Sequence, residues 1–151
     1  MEINNYPNYL IYDDGRVYNQ KFKRFLKPGK SKNGYLLVDL SHQKKRKTHS
    51  IHRLVALHYI DNPENKKTVD HINRDKTDNR IENLRWATGI EQNENRCIPK
   101  NNTSGHKGIS YKKKENKWVF QKQEKGKKTI QKQFKTKTDA LCYKFIHILK
   151  K

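Results

Sequence analysis

Apolar residues are scarce: only 32% of the 151 residues are hydrophobic. That excludes one large core and favours small modules strung along the chain. No uninterrupted apolar run has the length of a membrane span, and no strongly amphipathic basic helix is evident, so no membrane partner is expected. Cysteine is nearly absent. Cys97 and Cys142 lie far apart, which excludes a C-x-x-C zinc knuckle and a disulfide framework, so no zinc is expected. A reducing, intracellular compartment follows. The opening "MEINNYPNYL" has no charged-then-apolar signal pattern, so secretion is not indicated. Acidic residues are few as well, 15 against 35 Lys and Arg, for a net charge of +20.

That charge runs through nearly every segment and is interleaved with aromatics. A polyanion contacted along the whole length is implied, with nucleic acid the first candidate. Packaging by charge alone is the rival from another class.

The N-terminal part reads as short strands. "YLIYDDGRVYN" is two aromatic and β-branched runs around Asp14-Gly15, a hairpin signal. "GYLLVDLSH" is a third run after Gly34. "THSIHRLVALHYI" then shifts to helical spacing, with Thr48 or Ser50 as N-cap and Asp61-Asn62-Pro63 as stop. "TVDHI" is a strand over 68–72, "NRDKTDNRIEN" a polar loop, and "LRWAT" a second strand. Thr88 with Glu91 three residues on is a capping box. The order is strand, loop, strand, helix.

Asp70 and His71 carry the chemical interest. Adjacent strand residues point to opposite faces, so the pair shares a site only if the strand ends or twists there. A carboxylate with an amide oxygen from the next helix suits Mg²⁺ and its retained waters. A neutral His can take a proton from an attacking water. The residue types suit phosphodiester hydrolysis. They suit a hydrogen-bonded turn equally well, and on spacing alone both readings stand.

"IHRLVALHYIDNP" followed by "VDHINRDKTDNRIENLRWAT" resembles the HNH nucleases, in particular the small homing endonucleases of phage and large-virus introns. The resemblance implies a ββα-metal unit over residues 49–96, with Asp70 as metal ligand and His71 as general base. It implies that Asn83, twelve residues after His71, braces the loop and the base, and that Asn79 is a second loop brace. For the second metal ligand an ungapped register lands on Gln92, while the expected residue type favours Asn93, which shares a helical face with Ile90. Asn93 is preferred, with Gln92 as alternate. Mg²⁺ is the expected ion, with Mn²⁺ a substitute. His52 opens a buried helix and reads as a packing residue rather than a ligand.

The flanks complete an α+β architecture. Residues 1–48 resemble the small β module that precedes the nuclease in many such endonucleases, implying DNA contact. Residues 97–104 read as a linker. Residues 105–151 resemble the ethylene-response-factor-like DNA-binding domain: three strands, with Asn116 and Gly126 punctuating the gaps, and one helix capped by Thr136. The helix would lay Ala140, Leu141, Phe145, Ile148 and Leu149 on the sheet. If Trp118 and Phe120 face that helix, Gln121 and Gln123 face outward, as do Ser110 and Lys112. Glutamine can read adenine in a major groove that admits a β-ribbon. Lys114 and Lys128 would add phosphate contacts.

The reading is a metal-dependent DNA endonuclease acting on double-stranded DNA, a homing enzyme or nickase. A monomer is expected, with a dimer required for cutting both strands at once. A catalytically inactive DNA-binding regulator of the same build is the alternative. For a viral protein the compartment would be host cytoplasm or nucleus.

Overall fold

The computed structural model describes residues 1–123 and 128–150. Gly126, read above as a turn signal, lies outside the described residues. The chain forms two compact units, Met1–Asn95 and Arg96–Lys151.

In the first unit, β1 (Glu2–Ile3), β2 (Tyr6–Ile11), β3 (Val17–Asn19) and β4 (Arg24–Phe25) form one antiparallel sheet. The Asp14-Gly15 turn joins β2 to β3, with Ile11 opposite Val17. Gly15 sits at φ +89°, a conformation that strains residues with a Cβ. A second sheet is built from β5 (Gly29–Lys30), β6 (Leu36–His42) and β7 (Lys45–Ser50). β7 escapes a reading of the sequence. Its "KRKTHS" is exposed over its first four residues, so it carries no apolar alternation. It is held by ladder bonds and by Arg46 and Thr48, both of which donate to the Asp39 carboxylate.

Helix α1 (Ile51–Tyr59) follows, with Ser50 at its N-cap. Then come β8 (Thr68–His71), a 3₁₀ turn (Ile81–Asn83), β9 (Leu84–Ala87) and α2 (Gly89–Asn95). β8 and β9 pair antiparallel, with Asp70 opposite Arg85 and His71 opposite Leu84. The capping box is made. Thr88 N donates to Glu91 Oε2 at 2.6 Å, and Glu91 N to Thr88 Oγ1 at 3.3 Å. Strand, loop, strand and helix stand in the expected order.

The expected boundary between a module over 1–48 and a nuclease over 49–96 is not a boundary in the packing. A single core joins Ile3, Ile11 and Val17 of the first sheet, Val38 and Leu40 of the second, Leu54 and Val55 of α1, and Val69 and Leu84 of the β8–β9 pair. The two parts share one interior.

The second unit contains β10 (Ile109–Lys112), β11 (Lys117–Lys122), β12 (Ile130–Phe134) and α3 (Lys137–Leu149), with the strands antiparallel in that order. Ser104, expected in the linker, is buried. Its Oγ lies 2.9 and 2.7 Å from the carbonyl oxygens of His106 and Ile109, either of which can accept its one hydrogen. The stretch before β10 therefore belongs to the folded unit. The core consists of Ile109, Phe120 and Ala140, with Trp118, Phe134, Leu141 and Tyr143 against it. The expected helix stripe is only half right. Ala140 and Leu141 pack, but Phe145, Ile148 and Leu149 are exposed, because Tyr143 fills the place opposite Phe120. Among the described residues no helix is long and apolar enough to cross a membrane.

Candidate active site

Asp70 and His71 end β8, and both are buried, at 8% and 4% exposure. They do point apart, as strand alternation requires, and each meets a different neighbour. Asp70 turns toward α2 and β9. Arg85, its cross-strand partner, donates from Nη2 to Asp70 Oδ2 at 3.0 Å. Asn95, at the end of α2, donates from Nδ2 to the same oxygen at 3.0 Å and to the His71 carbonyl at 2.7 Å. One amide thus bridges the carboxylate and the backbone of its neighbour.

His71 turns toward the polar loop and α1. Its Nε2 lies 3.2 Å from Asn79 Oδ1. The Asn79 Nδ2 donates to Thr77 O at 3.2 Å, which fixes the amide with its oxygen toward the ring. A carbonyl oxygen only accepts, so Nε2 carries a hydrogen toward Asn79, which leaves Nδ1 as the accepting nitrogen of the neutral ring. The ring is walled by His52, 5.1 Å between centroids, and by Tyr35 at 5.9 Å. His52 is 7% exposed and its Nδ1 is buried without a hydrogen-bond partner. Burial first, then the nearby His71 and Arg53, push its pKa down to about 4, so it is neutral.

The two loop asparagines divide the work differently from the expectation. Asn83 braces the loop alone: its Oδ1 accepts from Asn73 N at 2.9 Å and its Nδ2 donates to Asp78 O at 2.8 Å. The contact to the histidine belongs to Asn79. Spacing could not have separated them, because both lie in the same polar loop.

On α2 the residue brought to Asp70 is Asn95. Asn93 is exposed and lies about 200° around the helix from it. Gln92 is half-buried and shares the face of Asn95, three residues on. The geometry therefore favours Gln92 over Asn93 for an amide oxygen near Asp70. Ile90 does not set the rotation of α2, which has no buried residue; Asn95 anchors it through polar contacts. Arg85 was also missed. Its signal was its place across the ladder from Asp70.

The groups set against the Asp70 carboxylate are the Arg85 guanidinium and the Asn95 amide nitrogen, so Asp70 is the hard-oxygen donor of the site. A single carboxylate suits an ion such as Mg²⁺ only if the remaining ligands come from an amide oxygen turned toward it, water and phosphate.

Residues 49–94 match the family model described as HNH endonuclease. The chain carries an HNH endonuclease domain. An uncharacterised HNH endonuclease of Acanthamoeba polyphaga mimivirus is 42% identical over 106 residues, spanning 70% of this chain and 29% of that protein. DNA endonuclease I-HmuI of Bacillus phage SP01 is 38% identical over 81 residues, spanning 54% of this chain and 47% of that protein. A solved structure of I-HmuI, described as an HNH homing endonuclease that binds and cleaves DNA, aligns with a TM-score of 0.60 at 36% identity, covering 63% of this chain and 55% of that one. The chain thus spans less than half the length of either of these two curated relatives. The HNH domain matched by the family contains Asp70, His71, Asn79, Asn83, Arg85 and Gln92.

In the second unit, strand register places Ser110, Val119 and Gln133 in one row and Gln121 and Gln131 in another. Gln121 and Gln123 are exposed, as are Ser110, Lys114 and Lys128. Lys112 is tied to Glu115 at 3.0 Å. Gln131 and Gln133 were overlooked; only the pairing of β11 with β12 reveals that they flank Gln121.

Proposed function

We propose that this protein is a metal-dependent DNA endonuclease whose HNH domain hydrolyses phosphodiester bonds. The observation that carries the reading is the 3.2 Å contact of His71 Nε2 with the Asn79 amide oxygen. A histidine whose Nε2–H is held by an amide oxygen presents a lone pair at Nδ1, as a general base needs.

In this reading His71 Nδ1 takes the proton of a water whose oxygen bonds to phosphorus while a P–O bond to a sugar oxygen breaks, the departing oxygen taking its proton from solvent, and Asn79 holds the opposite edge of the ring. The resulting imidazolium donates more strongly to Asn79 Oδ1. Asp70 and an amide oxygen of α2, Gln92 by geometry, would hold a divalent cation, Mg²⁺ or Mn²⁺. Bound there, the ion would stabilise charge developing on the phosphate. Arg85 holds the Asp70 carboxylate in place before the ion arrives. Asn95 fixes Asp70 relative to the His71 backbone.

Double-stranded DNA is the proposed partner, by analogy with the DNA binding and cleavage described for I-HmuI and from the charge of +20. The second unit is read as an ethylene-response-factor-like DNA-binding module. Its face of Ser110, Gln121, Gln131 and Gln133 would meet base edges, and Lys114 and Lys128 would meet phosphates.

The test is incubation with supercoiled plasmid with and without Mg²⁺ or Mn²⁺. A nicked product that needs the ion supports the proposal. DNA binding without cleavage under every ion would make the chain an inactive DNA-binding regulator.

A further inference from the structure

The turn between β2 and β3 lies against the loop that holds the proposed base. A Cβ built on Gly15 would stand 2.9 Å from Asn79 Cβ and 3.1 Å from Ile51 Cγ2. Real Cβ atoms do not approach so closely, so Asn79 would have to move. The same turn is tied to the loop by its backbone: Ile81 N donates to Asp13 O at 2.9 Å. Asn79 is 4% exposed and is the side chain that accepts from His71 Nε2. A path of direct contacts thus runs from the N-terminal hairpin to the catalytic imidazole.

We infer that the Asp14-Gly15 turn is a positioning element for the general base: it seats Asn79, which fixes the tautomer and orientation of His71. The inference rests on the assignment of His71 as base. It gives the N-terminal hairpin a role in the chemical step, separate from any contact with DNA.

The physical case is one of tolerance. Moving a catalytic group by about 1 Å can cost around 10²-fold in rate. Relieving a 2.9 Å approach to an ordinary contact of 3.4 Å requires a shift of about 0.5 Å or more, in a wall that is close-packed. The thermodynamic cost of binding DNA is not touched by such a shift, so the loss should fall on kcat rather than KM.

Gly15→Ala combines two effects, the clash and the strain of a positive φ. Two further variants separate them. Gly34 has nearly the same φ, +87° against +89°, but its built Cβ meets only Lys76 Cδ at 3.7 Å. Gly34→Ala therefore carries the strain without the clash. Gly15→Asn carries the clash with less strain, because Asn tolerates the left-handed region better than Ala.

The experiment uses the full chain, with nicking of supercoiled plasmid and ¹⁵N shifts of the His71 ring as the two readouts. Gly15→Ala and Gly15→Asn should both lose tenfold or more in kcat at near-native KM. Both should lose the pure Nε2–H signature of the His71 ring, as Asn79→Ala should. Gly34→Ala should keep the native rate and ring shifts. A native rate in Gly15→Asn, or equal losses in Gly34→Ala and Gly15→Ala, would overturn the inference. So would Gly15 variants that unfold while Gly34→Ala does not, since the turn would then serve folding rather than the base. His71→Ala guards the underlying reading. If it cuts normally, the base assignment fails; if it is inert while Gly15→Asn is native, only the positioning role fails.

Discussion

At the scale of single residues, the histidines divide by what surrounds them. His71 has an oxygen fixing one nitrogen; His52 has a nitrogen with no partner at all. His71→Ala should reduce cleavage by about 10²–10⁴-fold with DNA affinity nearly unchanged, because a general base adds rate and little binding. Gel-shift and nicking assays on the same preparation check this, and a native cutting rate would refute it. His52 makes a prediction about stability. Its ordinary value is 6.5 and in the fold it is about 4, lowered first by burial and then by the His71 and Arg53 side chains beside it. The unfolded chain therefore gains a proton below pH 6.5 that the folded chain refuses. Stability is full above that pH and falls by about 3 kcal/mol as pH drops toward 4. Melting curves of native protein and His52→Phe should diverge across this window, with the variant losing less. Parallel curves would mean that the buried nitrogen is not the cause. The sequence made Asp70 and His71 legible because their types are rare together in a chain of Lys, Asn and Gln. It could not separate Asn79 from Asn83, because their difference lies in which way a loop folds.

At the scale of elements, the caps were legible and the rotations were not. Thr88 and Glu91 announce α2, but its seven residues bury none of their own side chains, so no apolar face told the sequence which amide would meet Asp70. Metal titrations of nicking give the test. Gln92→Ala should shift the ion requirement upward more than Asn93→Ala does, and Asp70→Ala should abolish cleavage with every divalent ion. The reverse ranking of the two α2 variants would return the ligand to Asn93. β7 was hidden for a similar reason. Charged side chains fill it, and a strand held by its ladder shows no alternation. In α3 the helical period was right and the chosen face was not, because Tyr143 and His147, both placed against Phe120, did not count as core formers.

For the whole molecule, the split after Asn95 sets what can be removed. The second unit has its own core of Ile109, Phe120 and Ala140. A protein ending at Asn95 should still nick DNA at low salt. It should bind more weakly, with the slope of log affinity against log salt shallower by about 0.9 for each phosphate it no longer neutralises. A truncated protein that is folded yet inert at low salt would show that the second unit completes the active site. The three modules suggested by composition become two bodies in the fold, because composition registers polar stretches and cannot register that Ile11, Val55 and Val69 close on one another.

That shared core has a thermodynamic consequence. A hairpin whose apolar residues complete the same interior as the catalytic strands cannot open on its own without exposing them. Residues 1–95 should behave as one cooperative foldon. In native-state hydrogen exchange, the ladder amides of β2 and β8 should reach the same limiting opening free energy and respond together to denaturant, and a Val17→Ala substitution in the hairpin should speed exchange at His71 as much as at Ile11.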